Sequence, residues 1–128
     1  MRLLLLIALV FMSSSPLMAA EPSSGAQHLG GDWTVDLSVK PDQPYTQQMQ
    51  LTLNPDGTVS GVFYQSKIEA GRWKTDRGRT CVSFRTTDGV GPCHTAACLM
   101  GDIVQGQTWA EQRNFLFNWN AVRGTPAP

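Results

Sequence analysis

Cys93, His94 and Cys98 fall within the stretch "PCHTAAC", which holds two of the three cysteines and one of the two histidines in the chain. Thiols and an imidazole this close can ligate a metal, form a reactive thiol centre, or supply one half of a disulfide. Two ligand types with no third partner fall short of a coordination set, which argues against a metal. If the stretch is a strand, Cys93 and Cys98 face opposite sides and lie about 17 Å apart. They then share neither a metal nor a bond. Elsewhere, none of Asp32, Asp36, Asp88 or Glu111 has a catalytic partner on its own face, and no Gly-rich motif opens a helix. The chain therefore reads as a non-enzyme that needs no cofactor.

The elements around these residues decide among the remaining roles. Residues 80–86 and 92–100 are strand-like and flank a turn at Asp88-Gly89-Val90-Gly91. That turn pairs Thr87 with Pro92 and sets Cys81 directly opposite Cys98, where side chains come close enough for a bridge. A Cys81–Cys98 disulfide is expected, with Cys93 left over. The same register turns Cys93 inward with Val82, Phe84 and Leu99, as a buried and inert thiol. His94 faces outward.

The rest of the chain carries the same period of two. In "GDWTVDLSV", Trp33, Val35, Leu37 and Val39 share one face, the pattern of a half-buried strand. Met49, Leu51 and Leu53 continue it before "NPDG", where Gly57 supplies a positive φ for a tight hairpin. Pairing Asn54 with Thr58 sets Leu53, Leu51 and Met49 against Val59, Gly61 and Phe63, apolar against apolar. Further strands follow over residues 67–75, 102–110 and 114–123, with short turn-rich separators. Eight antiparallel strands over residues 31–123 predict an all-β fold, an up-and-down barrel. An open sandwich is the competing arrangement.

Ahead of this domain, Arg2 and the apolar run 3–12, followed by small residues, have the layout of a signal peptide over residues 1–20. The run is too short to span a bilayer comfortably. Residues 21–30 read as a flexible lead-in and 124–128 as a loose tail. Without Arg2 the chain carries nine basic against ten acidic residues. This near balance argues against nucleic-acid binding. A soluble periplasmic or secreted protein that leaves the membrane after cleavage is expected. Lys67, Arg72, Lys74, Arg77, Arg79 and Arg85 cluster in one stretch, which reads as a solvated hairpin end.

Gly31-Asp32-Trp33 in the first strand, with Arg123 in the last, resembles the signature of the calycin superfamily, the lipocalin-like and avidin-like barrels. "GDWTVDL" is similar to the avidin first strand, "DGTVSG" to the hairpin that follows, and "GQ" at 106–107 to a later strand. The resemblance implies a barrel closed at one end by Trp33 packed against Arg123. The residues alone support that contact as a guanidinium over an indole face. Val35 stands where avidins place a ligand-contacting Asn, so the resemblance implies the frame and not a biotin site. Similar barrels also serve as secreted inhibitors.

A barrel of this size holds packed side chains or one small molecule. Trp33, Leu37, Met49, Leu51, Phe63, Phe84, Phe117 and Trp119 are bulky and inward, while Gly61, Thr95, Ala97 and Gly106 leave room. The expected function is binding of a small, largely apolar molecule. Phe63 and Trp119 are its apolar contacts, and Gln47, Gln65, Thr95 and Thr108 orient it. The alternatives are a protein partner met through the loops, as in an inhibitor, or a barrel without ligand.

Overall fold

The computed structural model describes residues 12–14 and 24–126. The expected leader, apart from residues 12–14, lies outside the described residues. A short helix α1 (Ser24–Leu29) is followed by nine strands. These are β1 (Gly31–Asp36), β2 (Thr46–Leu53), β3 (Thr58–Phe63), β4 (Ser66–Lys67), β5 (Glu69–Asp76), β6 (Arg79–Thr87), β7 (Pro92–Met100), β8 (Ile103–Ala110) and β9 (Phe115–Arg123). Around the ring the order is β1-β2-β3-β5-β6-β7-β8-β9, and β9 pairs back onto β1. All pairings are antiparallel. The fold is all-β, a closed eight-stranded up-and-down barrel, with β4 a two-residue arm folded onto β3.

Alternation drives closure. In β6, Thr80, Val82, Phe84 and Thr86 are buried and the residues between them face out. Each strand buries one face, and β9 on β1 completes the ring, so the apolar faces share one core. The hairpin at "NPDG" has the expected register, with Met49 opposite Phe63, Leu51 opposite Gly61 and Leu53 opposite Val59. Asn54 N–H donates to Thr58 O at 2.9 Å and Gly57 N–H to Asn54 O at 3.0 Å, closing the turn. Cys81 stands opposite Cys98 and is bonded to it. Cys93 is free and buried.

Two segments differ from the sequence expectation. The lead-in contains α1, and Leu29 is fully buried beneath the barrel. Apolar burial of Leu29 and a hydrogen bond from Trp33 Nε1 to its carbonyl, 2.8 Å, order a stretch whose composition reads as linker. The expected single strand through residues 67–75 is interrupted. Tyr64 and Gln65, at φ 51° and 64°, reverse the chain in a two-residue turn. The ladder then shifts register between Glu69 and Arg72, and Ala70 takes φ 51°. This kink sends Ile68 into the core.

The two ends of the barrel are built differently. At one end lie the turns after β2, β5 and β7, together with α1 and the end of β9. There Trp33 is fully buried and the Arg123 guanidinium sits 4.0 Å from its ring centre. Arg123 also donates to the carbonyls of Gly30, at 2.6 Å, and His28. Gly124, expected in a loose tail, donates its N–H to Asp32 O at 2.9 Å and accepts from Thr34 Oγ1 at 2.9 Å. This end is sealed. The other end, ringed by the loop after β1 and the turns after β3, β6 and β8, is open.

Candidate functional site

A cavity of about 430 Å³ opens at the unsealed end. Its walls come from residues whose strand alternation points them inward near the mouth. Leu37 follows β1, Phe63 ends β3, Thr86 lies on β6, Cys93 on β7, Thr108 and Ala110 on β8, and Phe115 and Phe117 on β9. Most of this wall is apolar carbon. The floor is a packed aromatic layer, with the Phe63 ring 5.6 Å from Phe84 and 5.4 Å from Trp119, centre to centre.

Behind the floor runs a short polar chain. Trp119 Nε1 donates to Thr108 Oγ1 at 3.0 Å, and Thr108 Oγ1 lies 2.8 Å from Thr95 Oγ1. Thr108 and Thr95 are 1% and 2% exposed, so these bonds offset the cost of burying their hydroxyls. Thr108 reaches the cavity; Thr95 does not.

The rim is tied by two contacts. Tyr45, at the end of the loop after β1, and Tyr64, in the turn after β3, meet hydroxyl to hydroxyl with their rings edge-on. That hydrogen bond, with partial burial, raises the Tyr64 phenol above its ordinary value. Across the mouth, Asp88 Oδ1 accepts the backbone N–H of Val90 at 2.8 Å and of Gly91 at 2.9 Å, while Oδ2 accepts Arg113 Nε at 2.6 Å. The backbone N–H groups of Gly91 and Val90, then the guanidinium, hold the Asp88 carboxyl down at about 2. One carboxylate thus fixes its own turn and joins it to the turn after β8. Burial, with Asp88 adding to it, pushes the Cys93 thiol up. This keeps it a thiol in the wall rather than a nucleophile.

The chain matches no family model, no curated protein and no solved structure. The barrel and its mouth therefore carry the functional argument. Among the described residues, no group of three or more His, Cys, Asp or Glu is placed to hold a metal. His94 is on the outer face, 3.9 Å from Glu111.

The structure gathers some of the expected ligand contacts and separates others. Phe63 and Thr108 line the cavity. Trp119 and Thr95 lie in and behind its floor. Gln47 is half-buried on β2 opposite Val35 and bonds Tyr45 Oη at 3.3 Å, outside the cavity wall. Gln65 is exposed in the tight turn and faces no interior, because the chain reverses one residue before it. The room expected over Gly106 is taken: a Cβ there would overlap the Trp119 indole, which lies against the glycine. Gly61 likewise marks a close approach to the Gln50 backbone. The open space lies nearer the mouth. Tyr45, Tyr64, Thr86, Arg113 and Phe115 are cavity residues that the strand pattern alone did not single out. Thr86 was within reach, since pairing Thr87 with Pro92 sets Thr86 beside inward Cys93.

Proposed function

We propose that this protein is an exported, non-enzymatic binding barrel of calycin type, and that its mouth takes up a small, largely apolar molecule. One observation carries this reading: a cavity of about 430 Å³, within the size range of small-molecule sites and with a wall surface that is mostly apolar carbon. Export is supported by the leader-like start of the sequence and by the Cys81–Cys98 disulfide, which an oxidising compartment permits. Among the described residues, no helix is long and apolar enough to cross a membrane. Calycin type is supported by Trp33 under Arg123 at the sealed end.

The test is saturable binding of an environment-sensitive anilinonaphthalene sulfonate reporter. One site per barrel is expected. Ala110→Trp, which fills the open space from β8, is expected to remove it while leaving the fold intact by circular dichroism. Reporter binding that is unchanged in Ala110→Trp would place the site elsewhere. A protein partner at the mouth loops is the second reading, and the exposed side chains of Val39 and Val90 favour it. A partner would protect these loops from proteolysis without displacing the reporter.

A further inference from the structure

The hydroxyls at the cavity floor can be counted proton by proton. Trp119 Nε1–H is a donor only, and it is used on Thr108 Oγ1. Thr95 and Thr108 share one hydrogen bond but bring two O–H protons to it. One proton is therefore left over, and its place depends on which hydroxyl donates. If Thr108 donates to Thr95, the spare proton belongs to Thr95, which is 2% exposed, does not reach the cavity and has no other side-chain hydrogen bond among the described residues. A donor buried without an acceptor is costly. If Thr95 donates to Thr108, the spare proton is on Thr108, which does reach the cavity. Thr108 Oγ1 then accepts from both Trp119 and Thr95, and its own O–H is free to point into the open space. Both threonines are buried, and the second arrangement is the one that sets the spare donor on the residue lining the cavity, where a ligand atom can match it.

Resting on the cavity as a binding site, we infer that its ligand is an apolar molecule whose leading end carries an acceptor oxygen, of the ketone, lactone or ether kind. That oxygen takes the Thr108 O–H. With both of its lone-pair positions engaged, Thr108 offers nothing to a donor, so an ammonium group entering first finds no partner at the floor. Thr86, one cross-strand layer nearer the mouth, is 4% exposed and makes no side-chain hydrogen bond within the described chain. It faces the cavity wall rather than the floor and adds a second hydroxyl for a ligand oxygen further out. The rest of the deep wall, Phe63, Cys93 and Ala110, is apolar and fixes no orientation. Selectivity for an oxygen at the deep end therefore falls to one hydroxyl.

A matched pair of rigid probes, α-tetralone and tetralin, tests this with the full-length mature protein by competition against the same reporter. Tetralone is expected to bind about tenfold more tightly than tetralin, the scale of one hydrogen bond. Thr108→Val should erase the difference and leave tetralin binding in place. Thr108→Ser, Thr86→Val and Thr95→Val should each keep it. Equal affinity of the two probes in the parent protein overturns the acceptor inference and leaves the cavity as an apolar site. A tetralone preference that survives Thr108→Val, or that vanishes in Thr86→Val, assigns the donor to another residue and also overturns it. Failure of both probes to displace the reporter removes the apolar site itself. The comparison in the parent protein decides the matter even if Thr108→Val does not fold.

Discussion

The sealed and open ends of this barrel use the same strands and the same alternation, yet they are finished with opposite chemistry. At the sealed end, Leu29 and Trp33 are fully buried and Arg123 caps the indole while satisfying two backbone carbonyls. At the open end the inward positions turn to Thr86, Cys93, Thr108 and Ala110, and Phe115, at the start of β9, is half exposed. The rim is tied by polar contacts between loops rather than by packing. Stability is concentrated where side chains interlock without gaps, and a recess remains where they are smaller. The contrast separates a tightly packed end from a recessed one.

The largest test of that contrast is Trp33→Ala. Removing a fully buried indole should cost about 3–5 kcal/mol in denaturant unfolding. A variant as stable as the parent would show that the sealed end does not carry the fold. Next, Cys81→Ser with Cys98→Ser opens a covalent loop spanning 17 residues of separation. In the chain-entropy model this should cost about 3 kcal/mol. Arg123→Ala removes the cation over Trp33 and two donors, and should lower stability by about 1–2 kcal/mol. At the open end, Phe115→Ala should change stability by only about 0.5 kcal/mol, since the ring is half in solvent, while weakening reporter binding. A loss at Phe115 as large as at Trp33 would erase the distinction.

The smallest effect concerns acid. The Asp88 carboxyl lies near 2 in the folded chain, below its ordinary 3.8. A depressed carboxyl stabilises the fold above the unfolded value, and that contribution is lost as pH falls towards 2. Asp36 and Asp56 are lowered too, by bonds to Ser38 and Thr58, and act in the same direction. Unfolding midpoints measured from pH 5 to about 2 should therefore fall, and less steeply in Asp88→Asn. Identical slopes would mean that the bonds Asp88 accepts from Gly91, Val90 and Arg113 add nothing to stability.

Legibility in the sequence followed the reach of local chemistry. "NPDG" fixed the register of β2 on β3 through backbone geometry, and "TDGVG" placed Cys81 on Cys98 in the same way. The reversal at Tyr64-Gln65 carries no such mark, since neither residue is a usual choice for positive φ. Gln65 was accordingly expected to face inward. α1 is too short for a helical period, and what orders it is tertiary: a buried leucine and an indole hydrogen bond. Volume misled for a related reason. A glycine in a strand shows that something packs close, and over Gly106 it is Trp119 rather than a ligand. The cavity lies where loops from distant parts of the chain meet, and their approach has no counterpart in periodicity.

The pairing of β9 with β1 also sets an order of events. The strand that completes the ring, Phe115–Arg123, emerges from synthesis long after the strand it must join. Contacts between such distant parts of a chain slow folding. Until Arg123 arrives, Trp33 has no cap and the ring has two free edges. The nascent chain thus stays open for most of its synthesis, and the ring can shut, with Trp33 capped, only once its last strand is free to join its first.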